Sequence, residues 1–249
     1  MLTNYTNDYL LDKKVKILQP TDGYRASTDA VLLASAVNGK LKNARILDVG
    51  SGTGAISLCL AQRLQSFNVQ ICGIEVQPEL AELSNTSAHL NQYEFVKFYN
   101  ADIREKLQDT NLSTCSFDIV ISNPPYSDHD MPSPNKSKAT AHNHTDFNLT
   151  KWLSFCLKMT KPFGKIYIIN RVEALSEICT FFRGKAGNLN IVPIYSKADQ
   201  KAKRIIVAAQ KDSKAPDCIL PPFIVHNGDG KYTLQAQRIL RSGNGLFDL

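Results

Sequence analysis

The stretch Arg45-Ile46-Leu47-Asp48-Val49, followed at once by Gly50-Ser51-Gly52-Thr53-Gly54 and then by Ala55 to Arg63, restricts the possible folds more than any other. Its first five residues form a short apolar run closed by turn residues, as a buried strand does. Three glycines in five positions let the backbone turn sharply and let a ligand lie close against it. The following residues read as a helix. A strand, a glycine loop and a helix in succession open a parallel α/β sheet, whose ligands bind at the strands' carboxyl ends. The spacing is Gly-x-Gly-x-Gly, not the Gly-x-Gly-x-x-Gly of pyrophosphate binders. The loop therefore suits a compact uncharged or cationic group, with Asp48 bringing a carboxylate alongside.

Two further strand ends carry acids. Val69 to Glu75 reads as a second strand ending on Glu75, 27 positions after Asp48, where a carboxylate can accept both hydroxyls of a ribose. A helix from Glu79 to Asn91 follows, then a third strand, Phe95 to Asn100, closed by Ala101-Asp102. An acid there can accept the exocyclic amine of an adenine. Three acidic strand ends within 55 residues argue for one nucleoside-like ligand rather than three solvated termini.

A fourth strand, Phe117 to Ser122, runs into Asn123-Pro124-Pro125-Tyr126. Consecutive prolines fix φ and supply no N–H, so the chain leaves the sheet as a stiff extended loop. An amide and an aromatic ring are then held at a strand's carboxyl end, where such sheets bind ligands.

The remaining pattern completes an α/β sheet with helices on both faces. Val15 to Gln19 alternates like a strand, and Ser27-Thr28-Asp29 caps a helix through Ala36 that ends at Asn38-Gly39. Residues 127–146 are polar and aperiodic, a long loop; His129, His142, His144 and Asp146 within it lack the regular spacing of a metal site. A helix from Thr150 to Lys161 presents Trp152, Phe155, Cys156 and Met159 on one face and is ended by Pro162-Phe163-Gly164. Lys165 to Ile169 then reads as a strand, Val172 to Arg183 as a helix, and Ile191 to Tyr195 with Arg204 to Ala209 as a closing strand pair. A tail strand, Pro222 to His226, precedes a helix from Thr233 to Leu240, and lone His226 reads as a packing residue.

Composition excludes several classes. No apolar run approaches the roughly 18–20 residues that span a bilayer. The start Met1-Leu2-Thr3-Asn4-Tyr5 lacks the basic and apolar regions of a secretory signal, so a cytoplasmic protein is expected. Six scattered cysteines without a Cys-x-x-Cys pair read as free, buried thiols. Net charge is +6, but fourteen Lys and Arg face only four Asp and Glu between Pro132 and Lys211. Such a basic block suits a polyanionic partner.

Taken together, Asp48 to Gly54, Glu75, Asp102 and Asn123 to Tyr126 resemble the class I, S-adenosylmethionine-dependent methyltransferases that act on exocyclic or amide nitrogens. The resemblance implies a Rossmann-like, mostly parallel seven-stranded sheet with an antiparallel closing strand. It also implies cofactor contacts from Gly50, Gly52 and Gly54 to the methionine moiety, from Glu75 to the ribose and from Asp102 to the adenine. Catalysis would rest on Asn123, Pro124 and Tyr126, Asn123 also lying against the cofactor, with S-adenosylhomocysteine as product. A narrower resemblance spans nearly the whole chain. Gln19 to Ala30, Ala198 to Val207 and Val225 to Thr233 are similar to the bacterial tRNA (adenine-N6)-methyltransferase family, which modifies the adenine beside the anticodon of valine tRNA. It implies that Tyr24 and Arg25 lie over the cofactor and that the basic block meets tRNA. Residues 1–44 are then expected to cap the cofactor, 45–211 to form the core and 212–249 to pack on it as an extension. A monomer without metal or membrane contact is expected.

Other readings share parts of this pattern. Glutamine methylation of release factors uses the same tetrapeptide, but such enzymes carry a sizeable helical domain ahead of the glycine loop, where about 47 residues stand here. Methylation of a guanine N2 in ribosomal RNA, or of another RNA adenine, shares the cofactor half. DNA adenine methylation lacks a recognition domain of adequate size. A non-catalytic RNA-binding module on the same scaffold would have no physical reason to keep all the acids and Asn123.

Overall fold

The computed structural model describes residues 4–23, 25–38, 41–105, 107, 112–125 and 148–247. Tyr24, Tyr126 and the 127–146 loop with its histidines lie outside these. In chain order the strands are β1 (Tyr5–Leu10), β2 (Val15–Pro20), β3 (Arg45–Val49), β4 (Gln70–Glu75), β5 (Val96–Asn100), β6 (Phe117–Ser122), β7 (Thr160–Arg171), β8 (Ala186–Tyr195), β9 (Ala202–Lys211), β10 (Cys218–Ile219) and β11 (Phe223–Ile224). The helices are α1 (Thr28–Ala36), α2 (Ala55–Leu64), α3 (Pro78–Leu90), α4 (Leu149–Met159), α5 (Leu175–Phe182) and α6 (Leu234–Leu240).

The main sheet runs β10-β8-β9-β7-β6-β3-β4-β5, and β11 also pairs with β8. Among the described residues it holds nine strands, two more than expected, because the tail adds β10 and β11 in parallel to the β8 edge. Strand β9 is antiparallel to both β7 and β8 and closes the sheet. Adjacent β3 and β6 run parallel in the register Asp48↔Ile121 and Val49↔Ser122, so Gly50 and Asn123 leave the sheet side by side.

Period-two burial divides the strand residues between two cores. Ile46, Ile119, Ile121, Tyr167 and Ile169 face α1 and α2, while Leu47, Val49, Val120, Ile166 and Ile168 face α4 and α5. Side chains of Ser27, Asn148 and Thr233 cap α1, α4 and α6 by accepting backbone N–H bonds, each worth about 1 kcal/mol. The third cap is needed because α6 is only seven residues long.

Several sequence expectations are corrected. Pro162-Phe163-Gly164 does not separate helix from strand: β7 begins at Thr160, which bonds Cys156 O from its hydroxyl, and the ladder then bulges between Phe117 and Ile119 of β6. The prolyl residue is accommodated at that irregularity, where no ladder N–H is required. Val172–Ala174 forms a 3₁₀ turn before α5. The β2 stretch is half of a separate hairpin with β1, whose middle, Thr6-Asn7-Asp8, is an unbroken polar run without the alternation that marks a strand. Cys59 and Cys156 are buried as expected, whereas Cys115 and Cys218 are exposed. Among the described residues no helix is long and apolar enough to cross a membrane.

Candidate functional site

All three loop glycines adopt left-handed φ, +71° at Gly50, +56° at Gly52 and +80° at Gly54. That conformation strains any residue with a Cβ, which is why the loop is spelled with glycine. Space adds a second demand. A Cβ on Gly50 would stand 2.7 Å from the Trp152 ring, and one on Gly54 2.7 Å from the Phe98 ring. The loop is fastened to β4: Gly50 and Ser51 N–H both donate to Ile74 O at 2.9 Å.

Two acids lie under this loop. Asp48 is wholly buried and accepts a 2.8 Å bond from the Ser57 hydroxyl on one oxygen. Burial, reinforced by the charge of Glu75 and opposed by Ser57, pushes its carboxyl up to about 7. Glu75 is 6% exposed, and its carboxylate accepts one bond from Gly52 N–H and one from Gln77 N–H, each 2.9 Å. Burial raises its pKa as well, with those backbone donors working the other way. Each oxygen of Glu75 keeps a lone pair for a further donor.

Asp102 sits one strand further out. Ala101 N–H and the Asn100 amide both donate to Glu75 O at 3.0 Å, which ties the end of β5 to that of β4. The Asp102 carboxylate is itself engaged by Arg104, whose Nε lies 2.8 and 2.9 Å from its two oxygens. The Arg25 guanidinium bonds Asp8, Thr6 and Pro20 O, bracing the β1–β2 hairpin. The structure thus gathers Asp48, Gly50, Gly52, Gly54, Glu75, Asp102, Asn123 and Pro124 at the carboxyl end of adjacent parallel strands, with Arg25 bonded within the β1–β2 hairpin.

Four buried side-chain oxygens here have no hydrogen-bond partner among the described residues: Asp48 Oδ1, Ser51 Oγ, Thr53 Oγ1 and Asn123 Oδ1. Orphaned buried acceptors are rare in folded proteins and expensive to keep. Their concentration on two adjacent strand ends fits a ligand that supplies donors. A cationic, hydroxyl-bearing nucleoside meets that demand.

Trp152, Ser122 and Gln77 are supporting residues that the sequence reading did not assign to the site. Trp152 Nε1–H donates to Ser122 Oγ at 2.8 Å, and the Ser122 hydroxyl donates to Val49 O at 2.7 Å. This relay ties α4 to β6 and β3 while the indole packs on Gly50. The clue in the sequence was a tryptophan on the apolar face of α4; its polar edge gave no direction without the tertiary contact.

This fold, with its glycine loop and acidic strand ends, is that of a methyl-transferring domain, and the chain belongs to the family described as "Methyltransferase domain", which matches residues 40–214. Curated relatives are more particular. The chain is 24% identical to a tRNA1(Val) (adenine(37)-N6)-methyltransferase of Cytophaga hutchinsonii, over 95% of this chain and 98% of that one. It is 28% identical to a Haemophilus influenzae protein of the same name, over 89% and 91%. Among solved structures, a predicted O-methyltransferase from Agrobacterium tumefaciens superposes with a TM-score of 0.72 at 25% identity, covering 87% of this chain and 97% of its own.

Proposed function

We propose that this protein transfers a methyl group from S-adenosylmethionine to the exocyclic N6 of an adenine in tRNA, the one beside the anticodon of valine tRNA. The observation that carries the reading is Asn123 Oδ1, buried and unpartnered at the end of β6 next to the glycine loop. The curated relatives named for adenine-N6 methylation support the choice of acceptor. In this reading residues 1–44 cap the cofactor, 45–211 form the core, and 212–249 extend it; a cytoplasmic monomer satisfies the chemistry.

Adenine N6 is a weak nucleophile because its lone pair is delocalised into the ring. Asn123 Oδ1 and the Pro124 carbonyl accept hydrogen bonds from its two N–H groups and draw the lone pair out of conjugation; once methylated, N6 sheds one of those protons to water. Tyr126 stacks on the base, worth roughly 1–3 kcal/mol. When bound, S-adenosylmethionine supplies an electrophilic methyl on a sulfonium. The protein's share is in-line positioning and preorganised acceptors, with no covalent intermediate on a side chain. Glu75 would hold the ribose hydroxyls and Asp102, beside Arg104, the cofactor's adenine amine. The Pro-Pro segment cannot rearrange cheaply, so the acceptors keep their aim. A base must leave its stack to reach them, which favours a single-stranded loop.

The deciding experiment is transfer of labelled methyl to total tRNA from cells lacking this enzyme, followed by nucleoside analysis. Label in N6-methyladenosine of valine tRNA is expected. Label in guanosine, or only in protein, overturns the acceptor.

Asp48 gives a pH dependence with a definite sign. Its folded-state pKa of about 7 lies above the ordinary carboxylate range, so the folded chain holds a proton that the unfolded chain releases near pH 4. This group's stabilising contribution is complete below about pH 4 and is lost as pH rises toward 7. A cationic ligand beside it prefers the ionised form. Cofactor affinity should therefore rise by up to about tenfold per pH unit below 7 and level off above it. Calorimetry from pH 5.5 to 8 should show proton release on binding, and Asp48→Asn should remove most of it. A flat profile rejects the assignment.

A further inference from the structure

The basic block is not one surface. Strands β7, β8 and β9 each cross the full sheet, so cations close in sequence separate to opposite poles. At the amino end of the parallel strands they serve the fold. Lys161 pairs with Asp118 at 2.7 Å, and Lys165 donates to the Asn38 amide oxygen at 3.1 Å. The Lys185 ammonium lies 4.0 Å from the Phe181 ring centre, and Lys211 donates to Leu157 O and Thr160 O at 3.1 and 2.8 Å.

At the carboxyl end, on the side of Asn123, the β8–β9 hairpin carries Lys197 and Lys201 in its turn and Lys203 at the start of β9. Lys201 and Lys203 are exposed, and their ammonium groups have no partner among the described residues. Lys197 reaches only the Gly228 carbonyl, at 3.5 Å. The turn's base is nonetheless firmly held. His226 N–H donates to Ser196 O at 3.0 Å, the His226 ring stacks on Tyr232 at 5.1 Å, and Arg204 pairs with Asp29 at 3.0 Å. Two strands, β7 and β9, separate β8 from β6, which places the turn about 10–15 Å to the side of Asn123 at ordinary strand spacing.

We infer that the β8–β9 hairpin is the phosphate-binding arm of the protein, with Lys197, Lys201 and Lys203 gripping tRNA backbone beside the nucleotide that enters the site. The amino-pole lysines take no part. This rests on the tRNA reading above. The Lys201 and Lys203 ammonium groups, exposed on a braced hairpin, bind phosphate without first breaking an internal contact, whereas half-buried Lys197 gives up a long bond to the Gly228 carbonyl; such contacts hold substrate in register without reading its bases.

The test compares two triple variants of equal charge loss in the full chain. One is Lys197→Ala, Lys201→Ala, Lys203→Ala; the other is Lys158→Ala, Arg183→Ala, Lys214→Ala at the opposite pole, where all three residues are exposed. The hairpin triple should raise KM for tRNA by about tenfold or more and lower the slope of log KM against log salt by about two, from lost counterion release. Its cofactor affinity should match wild type, and the amino-pole triple should stay within about twofold throughout. If wild type methylates tRNA and the two triples behave alike, or the hairpin triple loses cofactor affinity instead, the arm assignment falls alone. If wild type transfers no methyl to tRNA, the functional reading falls and takes the arm with it.

Discussion

Replacing Asn123 with alanine is expected to lower kcat for methyl transfer by two to three orders of magnitude while cofactor affinity stays within about threefold. The size follows from losing one preorganised group at a developing charge, which costs about 10²–10³ in turnover elsewhere. The separation of effects follows from geometry. Asn123 stands on the acceptor side of the strand ends, whereas the glycine loop and Glu75 form the cofactor side. Its Oδ1 has no hydrogen-bond partner among the described residues, so removing it breaks no bond seen at that atom, and thermal unfolding should remain near wild type. Asn123→Asp is a useful companion: it keeps an oxygen in place but introduces a charge where the chain is buried, so turnover should depend strongly on pH. Steady-state kinetics with tRNA, beside calorimetric binding of S-adenosylhomocysteine, checks both. Equal losses in kcat and cofactor affinity, or full activity, would remove Asn123 from its role.

Glu75→Ala should act on the other half of the site, weakening cofactor binding by about a hundredfold or more. Two hydrogen bonds from ribose hydroxyls to a carboxylate are at stake, each in the range of about 1.5–3 kcal/mol for a charged partner. The alanine also frees Gly52 N–H, which Glu75 now fixes at 2.9 Å, so the loop loses its anchor together with its ligand. Stability should change less than affinity. The variant relieves a buried carboxylate whose ionisation is already opposed by burial, but it leaves the Gly52 and Gln77 N–H groups to find other partners. At saturating cofactor, kcat should recover most of its value, the reverse of Asn123→Ala. Calorimetric titration decides; an affinity within threefold of wild type would mean the ribose is held by something else.

The two variants together divide the site by function. Asn123 owes its place to the parallel pairing of β6 with β3, and Glu75 owes its place to the pairing of β4 with β3 on the other side. Both pairings are central in the sheet and buried on both faces, so the positions of these side chains are set by the most rigid part of the chain.

Much of this was legible in the sequence because it is local. A buried strand must be apolar, a left-handed loop must be glycine, and a residue following such a strand must emerge at its carboxyl end. Those rules fixed Asp48, Glu75, Asp102 and Asn123 as strand-end groups with no knowledge of which strands are neighbours. The elements that escaped were those whose stability is not local. The polar strand β1 exists only because β2 pairs with it, and the two-residue strands β10 and β11 exist only because β8 offers an edge.

By itself, then, the sequence determined a parallel α/β chain with acids, glycines and a rigid amide at successive strand ends, a set that resembles the nitrogen methyltransferases. Tertiary structure alone decided that Arg25 belongs to a hairpin and that Asp102 is held by Arg104. It also made Trp152 a wedge under Gly50 and divided the basic block between two poles. The reason is that composition counts charges and period-two patterns count faces, whereas partners are chosen by strand order and direction. A chain that crosses the same sheet three times puts neighbouring lysines some thirty ångströms apart, roughly 3.3 Å for each residue of strand.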